Sequence, residues 1–131
     1  MKPHATGTPT LSRASRWRPG SSLSRAAFAL ATLITMVMLF APSSDVPIGP
    51  EGSDKLVHAA MFAALLLLGW YARIPLRFLA PILVAYGGIA EIIQGQIGRD
   101  EDFWDWVSDS TGIVLAVLLV WYVRSRSRST G

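Results

Sequence analysis

The sequence predicts an all-α, polytopic membrane protein: a bundle of four transmembrane helices with both termini in the cytoplasm. Three observations predict it. The apolar residues, 51% of the chain, are gathered into four long runs. Charged residues make up only 16%, against about a quarter in soluble domains. Finally, ten of the twelve basic residues flank those runs on a single side of the implied membrane. The absence of cysteine excludes disulfides, thiolate metal sites and cysteine nucleophiles. A net charge of +3 would suggest nucleic acid as the partner of a soluble protein. The placement of these charges points to a lipid bilayer instead, and no nucleic-acid partner is expected.

A bilayer core of roughly 30 Å needs about 20 mostly apolar residues in a helix. The first span covers about residues 23–41 and is stopped by Pro42. A basic stretch precedes it, as in a signal peptide, but Leu39 and Phe40 suit a cleavage site poorly and Pro42 follows Ala41 directly. The segment therefore reads as an uncleaved anchor. The second span covers about 56–72 and the third about 76–97. The fourth is strongly apolar over 111–123 and reaches spanning length, about 103–123, only by including Phe103, Trp104, Trp106 and Val107.

Orientation follows from the basic residues. Lys2, Arg13, Arg16, Arg18 and Arg25 precede the first span, Arg73 and Arg77 separate the second and third, and Arg124, Arg126 and Arg128 follow the fourth. Only Lys55 and Arg99 fall on the other side, where every acidic residue lies unless it is inside a span. Both termini are thus expected inside. Trp70 with Tyr71, and Trp121 with Tyr122, mark inner helix ends, while Trp104 and Trp106 mark an outer one. Residues 1–22, rich in Ser, Pro, Gly and Arg, are expected to be a disordered basic tail, and 124–131 a second flexible one. Both should lie along the anionic cytoplasmic leaflet.

Side chains at i, i+4 and i+7 share one helix face. That rule aligns Asp54, His58, Phe62, Leu65 and Gly69 on the second span. It aligns Gly87, Glu91, Gln94 and Gly98 on the third, and Asp105, Asp109, Gly112 and Ala116 on the fourth. Each stripe is polar at its outer end and small or apolar deeper in. Glu91 is the strongest signal, because a carboxylate at that depth is costly unless it faces other helices. Gln94, one turn outward, is placed to donate to Glu91 through its amide. Asp54 reads either as a helix N-cap or as a member of the cluster reaching His58 or Arg99. Lys55 reads as an interfacial side chain, and Arg99 as a fork-shaped partner for carboxylates. Gly87, Gly112 and Ala116 read as packing residues that let helix backbones approach closely.

The series Asp54-Lys55-x-x-His58-x-x-x-Phe62, then Glu91-x-x-Gln94, Gly98-Arg99, Asp105, Asp109 and Gly112, resembles the VanZ-like family of bacterial membrane proteins, named for a teicoplanin-resistance accessory protein. The resemblance covers about residues 54–116. It implies a compact bundle in the bacterial cytoplasmic membrane, polar residues at the extracytoplasmic face and an association with glycopeptide resistance. Asp109 stands where the family pattern commonly has Asn, and Ala116 replaces a frequent second glycine.

Three functions fit these residues. One is an envelope accessory protein whose cluster (Asp54, Lys55, His58, Glu91, Gln94, Arg99, Asp105 and Asp109) binds an envelope lipid, a wall precursor or a cationic compound. With nine acidic residues against Lys55 and Arg99, the outer side favours a cationic partner or a divalent ion. The second is a membrane enzyme using acid–base or metal-assisted chemistry on a lipid-linked substrate, with His58, Glu91 and Asp105 as candidate ligands of a divalent cation. No known catalytic signature is present to support it. The third is a structural polar network with no ligand.

Overall fold

The computed structural model describes residues 17–41, 50, 52–97 and 102–129. All regular structure among them is helical: α1 (Ser22–Phe40), α2 (Ser53–Tyr71), α3 (Leu76–Gln96) and α4 (Phe103–Ser129). Each helix is long and apolar enough to cross a membrane. At about 1.5 Å per residue, the 19 residues of α1 or α2 extend roughly 28 Å, close to the thickness of a hydrocarbon core. Large apolar side chains point away from the bundle along its length, among them Leu33 and Val37 on α1, Ile82 and Ile89 on α3, and Leu115 and Leu118 on α4. Such surfaces suit lipid and not water. The chain has the character of a multi-pass membrane protein.

Local chemistry sets the helix ends. Ser21 caps α1 by accepting a hydrogen bond from the Ser24 N–H (3.2 Å). Ala41, just before Pro42, is extended and ends the helix, as a residue preceding proline prefers. α2 begins at Ser53, ahead of the expected boundary, because Gly52 turns the chain in a left-handed conformation (φ 82°). At its other end the Arg73 N–H bonds to the Trp70 carbonyl and the Ile74 N–H to the Gly69 carbonyl. This is the Schellman arrangement, with arginine (φ 69°) where glycine usually sits.

Two expectations for the tails are corrected. Residues 17–21 do not hang free: Trp17 stacks on Tyr71 (5.8 Å between ring centroids), and the Gly20 N–H donates to the Tyr71 carbonyl (2.9 Å). Residues 1–16 of that tail lie outside the described residues. The Arg-Ser segment after residue 123 continues α4 to Ser129. Arginine is a good helix former, and Ser125, Ser127 and Ser129 bond back to carbonyls of the preceding turn. Arg126 and Arg128 also suit the negative end of the helix dipole.

α2 is the central helix. It packs on α1, on α3 and most extensively on α4, while α3 also packs on α4. Phe62, Leu65 and Leu66 of α2 meet Leu79, Leu83 and Ala90 of α3 and Ile113 and Ala116 of α4 in one buried core. Gly112 explains the intimacy of α2 and α4: a Cβ on it would lie 2.0 Å from the Ala59 carbonyl oxygen. Without hydrophobic drive between helices in lipid, such close backbone approach supplies the packing.

Candidate functional site

That contact sets the site's register. Ala59 follows His58 in α2, and Gly112 lies about one turn beyond Asp109 in α4. Packing Gly112 on Ala59 therefore brings His58 against Asp109, with Nδ1 3.0 Å from Oδ1. Asp105, one turn earlier on the same face of α4, places Oδ2 3.7 Å from the other ring nitrogen, Nε2. One imidazole is thus held between two carboxylates.

Glu91 enters from α3. Its Oε2 accepts a hydrogen bond from the Asp102 backbone N–H (3.2 Å), which ties α3 to the start of α4. The side chain is turned into the bundle, with the residue only 8% exposed, and Asp109 is fully buried. Glu91 Oε1 and Asp109 Oδ2 have no hydrogen-bond partner among the described residues. Gly87 makes room for the second of these, since a Cβ there would stand 3.0 Å from Oδ2. One potential ligand atom from each of His58, Glu91 and Asp109 lies within 4.8 Å of the other two.

A more exposed rim surrounds this interior group. Lys55 Nζ bonds to Asp102 Oδ2 (2.6 Å) and Asp105 Oδ1 (3.2 Å), and lies 3.5 Å from Asp54. Asp102 meanwhile accepts the Trp104 N–H on Oδ1 (2.9 Å), capping α4. Lys55 first, and the Trp104 N–H second, hold the Asp102 carboxyl below the usual carboxylate range. A depressed carboxyl contributes to the fold above its unfolded pKa and loses that contribution as the pH falls through the folded one. The Trp104 amide resonance, followed by NMR in micelles, should therefore titrate with a midpoint below the ordinary ~3.9. Lys55→Met should raise that midpoint; an ordinary midpoint in the parent protein would contradict the Lys55–Asp102 contact.

The structure brings together His58, Glu91, Asp105 and Asp109, with Lys55 at the rim. Gln94 departs from expectation. It is buried, but its amide donates to the Leu39 carbonyl and not to Glu91. The last carbonyls of a helix lack intrahelical donors, and Gln94 satisfies one at the end of α1. Gly52 and not Asp54 is the N-cap residue of α2, and the Asp54 side chain is 58% exposed. It favours the helix N-terminus electrostatically and pairs with Lys55. Arg99 and Gly98 lie outside the described residues. Of the expected metal candidates, His58 and Glu91 belong to the close group, whose third member is Asp109; Asp105 stands behind the imidazole.

Three further polar residues lie off the predicted stripes. The Tyr86 hydroxyl and Ser110 Oγ are buried without a partner among the described residues, and the Trp106 indole N–H donates to the Val84 carbonyl (3.0 Å). A tyrosine midway along a membrane-length helix, away from the interfacial belt, was the available signal for the first.

The arrangement is suited to holding a cation. The partners of His58 among the described residues are both carboxylates, so the ring activates no hydroxyl there. No family model, curated protein or solved structure matches this chain.

Proposed function

We propose that this chain is an accessory membrane protein of the bacterial cell envelope, VanZ-like in its residue pattern. In this reading the acidic end of the bundle binds the cationic part of an envelope lipid, a wall precursor or a cationic compound, and expression lowers sensitivity to teicoplanin. The N-in, C-in orientation derived from the basic residues puts that end at the extracytoplasmic face.

One observation carries the proposal. Glu91 and Asp109 converge from different helices, and each keeps a buried oxygen without a hydrogen-bond partner among the described residues. A network serving only to fix helix order would close on itself, because an unsatisfied buried polar atom costs roughly 1–3 kcal/mol and more when charged. Oxygens left free in this way suit an incoming cation. A shallow groove along α4, lined by Trp106, Val107, Ser110, Thr111, Val114 and Leu115, offers a mostly apolar path for a lipid chain.

The test is expression in a glycopeptide-sensitive bacterium. The parent chain should raise the teicoplanin concentration that stops growth. Glu91→Gln, at equal abundance in the membrane, should return it to the level of the empty vector. No change with the parent chain, or full protection by the variant, would reject the proposal.

A further inference from the structure

We infer that His58, Glu91 and Asp109 form a binding site for one divalent cation of the zinc or manganese class, set deeper in the bundle than the Lys55 rim. This inference rests on the reading of the cluster as a binding site and assigns its innermost ligand.

The donor set is the first argument. One imidazole nitrogen and two carboxylate oxygens, from α2, α3 and α4, lie within 4.8 Å of one another. Around a tetrahedral ion with bonds of about 2.0–2.1 Å, donors stand roughly 3.4 Å apart. His58 Nδ1 and Asp109 Oδ1 already stand 3.0 Å apart, and Glu91 completes the group within 4.8 Å. The second argument is availability. Glu91 Oε1 and Asp109 Oδ2 are buried and lack partners among the described residues, so an ion displaces no hydrogen bond described at either atom. Of the alternate oxygens, Glu91 Oε2 is held by the Asp102 N–H, and the ion takes the place of the proton shared by His58 Nδ1 and Asp109 Oδ1.

Support behind the donors is the third argument. Ligating histidines usually give their second ring nitrogen to a carboxylate, which fixes tautomer and orientation. Here Asp105 Oδ2 stands 3.7 Å from His58 Nε2, leaving Nδ1 to face the ion. Charge is the fourth. Two carboxylates neutralise a dication bound with a neutral imidazole, which removes the cost of two buried anions side by side. The rim then keeps Asp54, Asp102 and Asp105 against Lys55, so its preference for a cationic group survives.

Donor chemistry sets the metal class. With no sulfur ligand, soft monovalent copper is disfavoured, while an imidazole with two carboxylates suits zinc or manganese. Three protein donors leave coordination positions open.

The experiment uses the full chain, purified in detergent, stripped with chelator, and dialysed against Zn²⁺ alone or Mn²⁺ alone. One ion per chain is expected for at least one of the two. His58→Gln and Glu91→Gln should each abolish stoichiometric binding at unchanged helix content, and Asp105→Asn should weaken it about 10–100-fold. Mn²⁺ spin resonance, or the visible bands of a Co²⁺ substitute, should change in His58→Gln, separating loss of the ligand from loss of the fold. Absence of stoichiometric binding by either ion overturns the inference. So does binding that persists in the His58→Gln, Glu91→Gln double variant. If no metal binds yet Glu91→Gln still abolishes protection from teicoplanin, the metal site falls and the proposed function stands. If metal binds and no protection is seen, the reverse holds.

Discussion

Gly112→Ala should lower the stability of the bundle by about 3 kcal/mol, the upper end of what overpacking usually costs. The added methyl would sit 2.0 Å from the Ala59 carbonyl oxygen and 2.8 Å from its carbon. Both are backbone atoms, so no rotamer change relieves the clash and the helices themselves must part. Other glycines provide the scale. At Gly69 the obstructing atoms are side-chain carbons of Leu79 and Phe28, and at Gly88 the nearest is the Trp106 indole nitrogen at 3.3 Å. These groups can shift, so Gly69→Ala and Gly88→Ala should cost distinctly less. The measurement is unfolding in mixed micelles followed by circular dichroism. A loss at Gly112 no larger than at Gly88 would mean that α2 and α4 are not in backbone contact. Since this contact also sets the register of His58 and Asp109, Gly112→Ala should weaken ligand binding without touching a ligand residue.

The inward stripes were legible because one physical rule governs them. Where lipid surrounds a helix, polar groups must face other helices, so residues sharing a face with Glu91 or His58 could be placed by counting. Phe62, Leu65, Gly87, Glu91, Asp109, Gly112 and Ala116 are all buried on those faces. Partner choice within the faces was less legible. Gln94 binds a main-chain carbonyl of α1, and backbone acceptors carry no residue signature. Asp109, and not Asp105, joins the close group because the depth of each residue depends on how α4 seats against α2. The continuation of α4 through its Arg-Ser end was missed for a different reason: composition suggested disorder, while local serine-to-carbonyl bonds and arginine propensity sustain the helix.

Asp109→Asn should separate a binding site from a structural network by the sign of its effect. Asp109 is fully buried, meets His58 through one oxygen and leaves the other without a partner among the described residues. If its charge serves to hold the helices, removing it breaks a buried pair and should cost about 3–5 kcal/mol. If its charge serves a ligand, the ligand-free bundle carries a desolvation cost that Asn relieves. Asn keeps the shape and an oxygen to accept from the imidazole, and stability should then be unchanged or rise by about 1–2 kcal/mol. We expect the second result, accompanied by loss of cation binding. Glu91→Gln should behave alike, because its amide oxygen still accepts the Asp102 N–H that ties α3 to α4. The two substitutions together should destabilise no more than either alone, since both remove charge from one pocket. Losses above about 3 kcal/mol in both single variants, measured without added ions, would assign these carboxylates to the architecture. Residues selected to meet a ligand leave the empty protein less stable than their substitutes would. That ordering is the physical mark of a site.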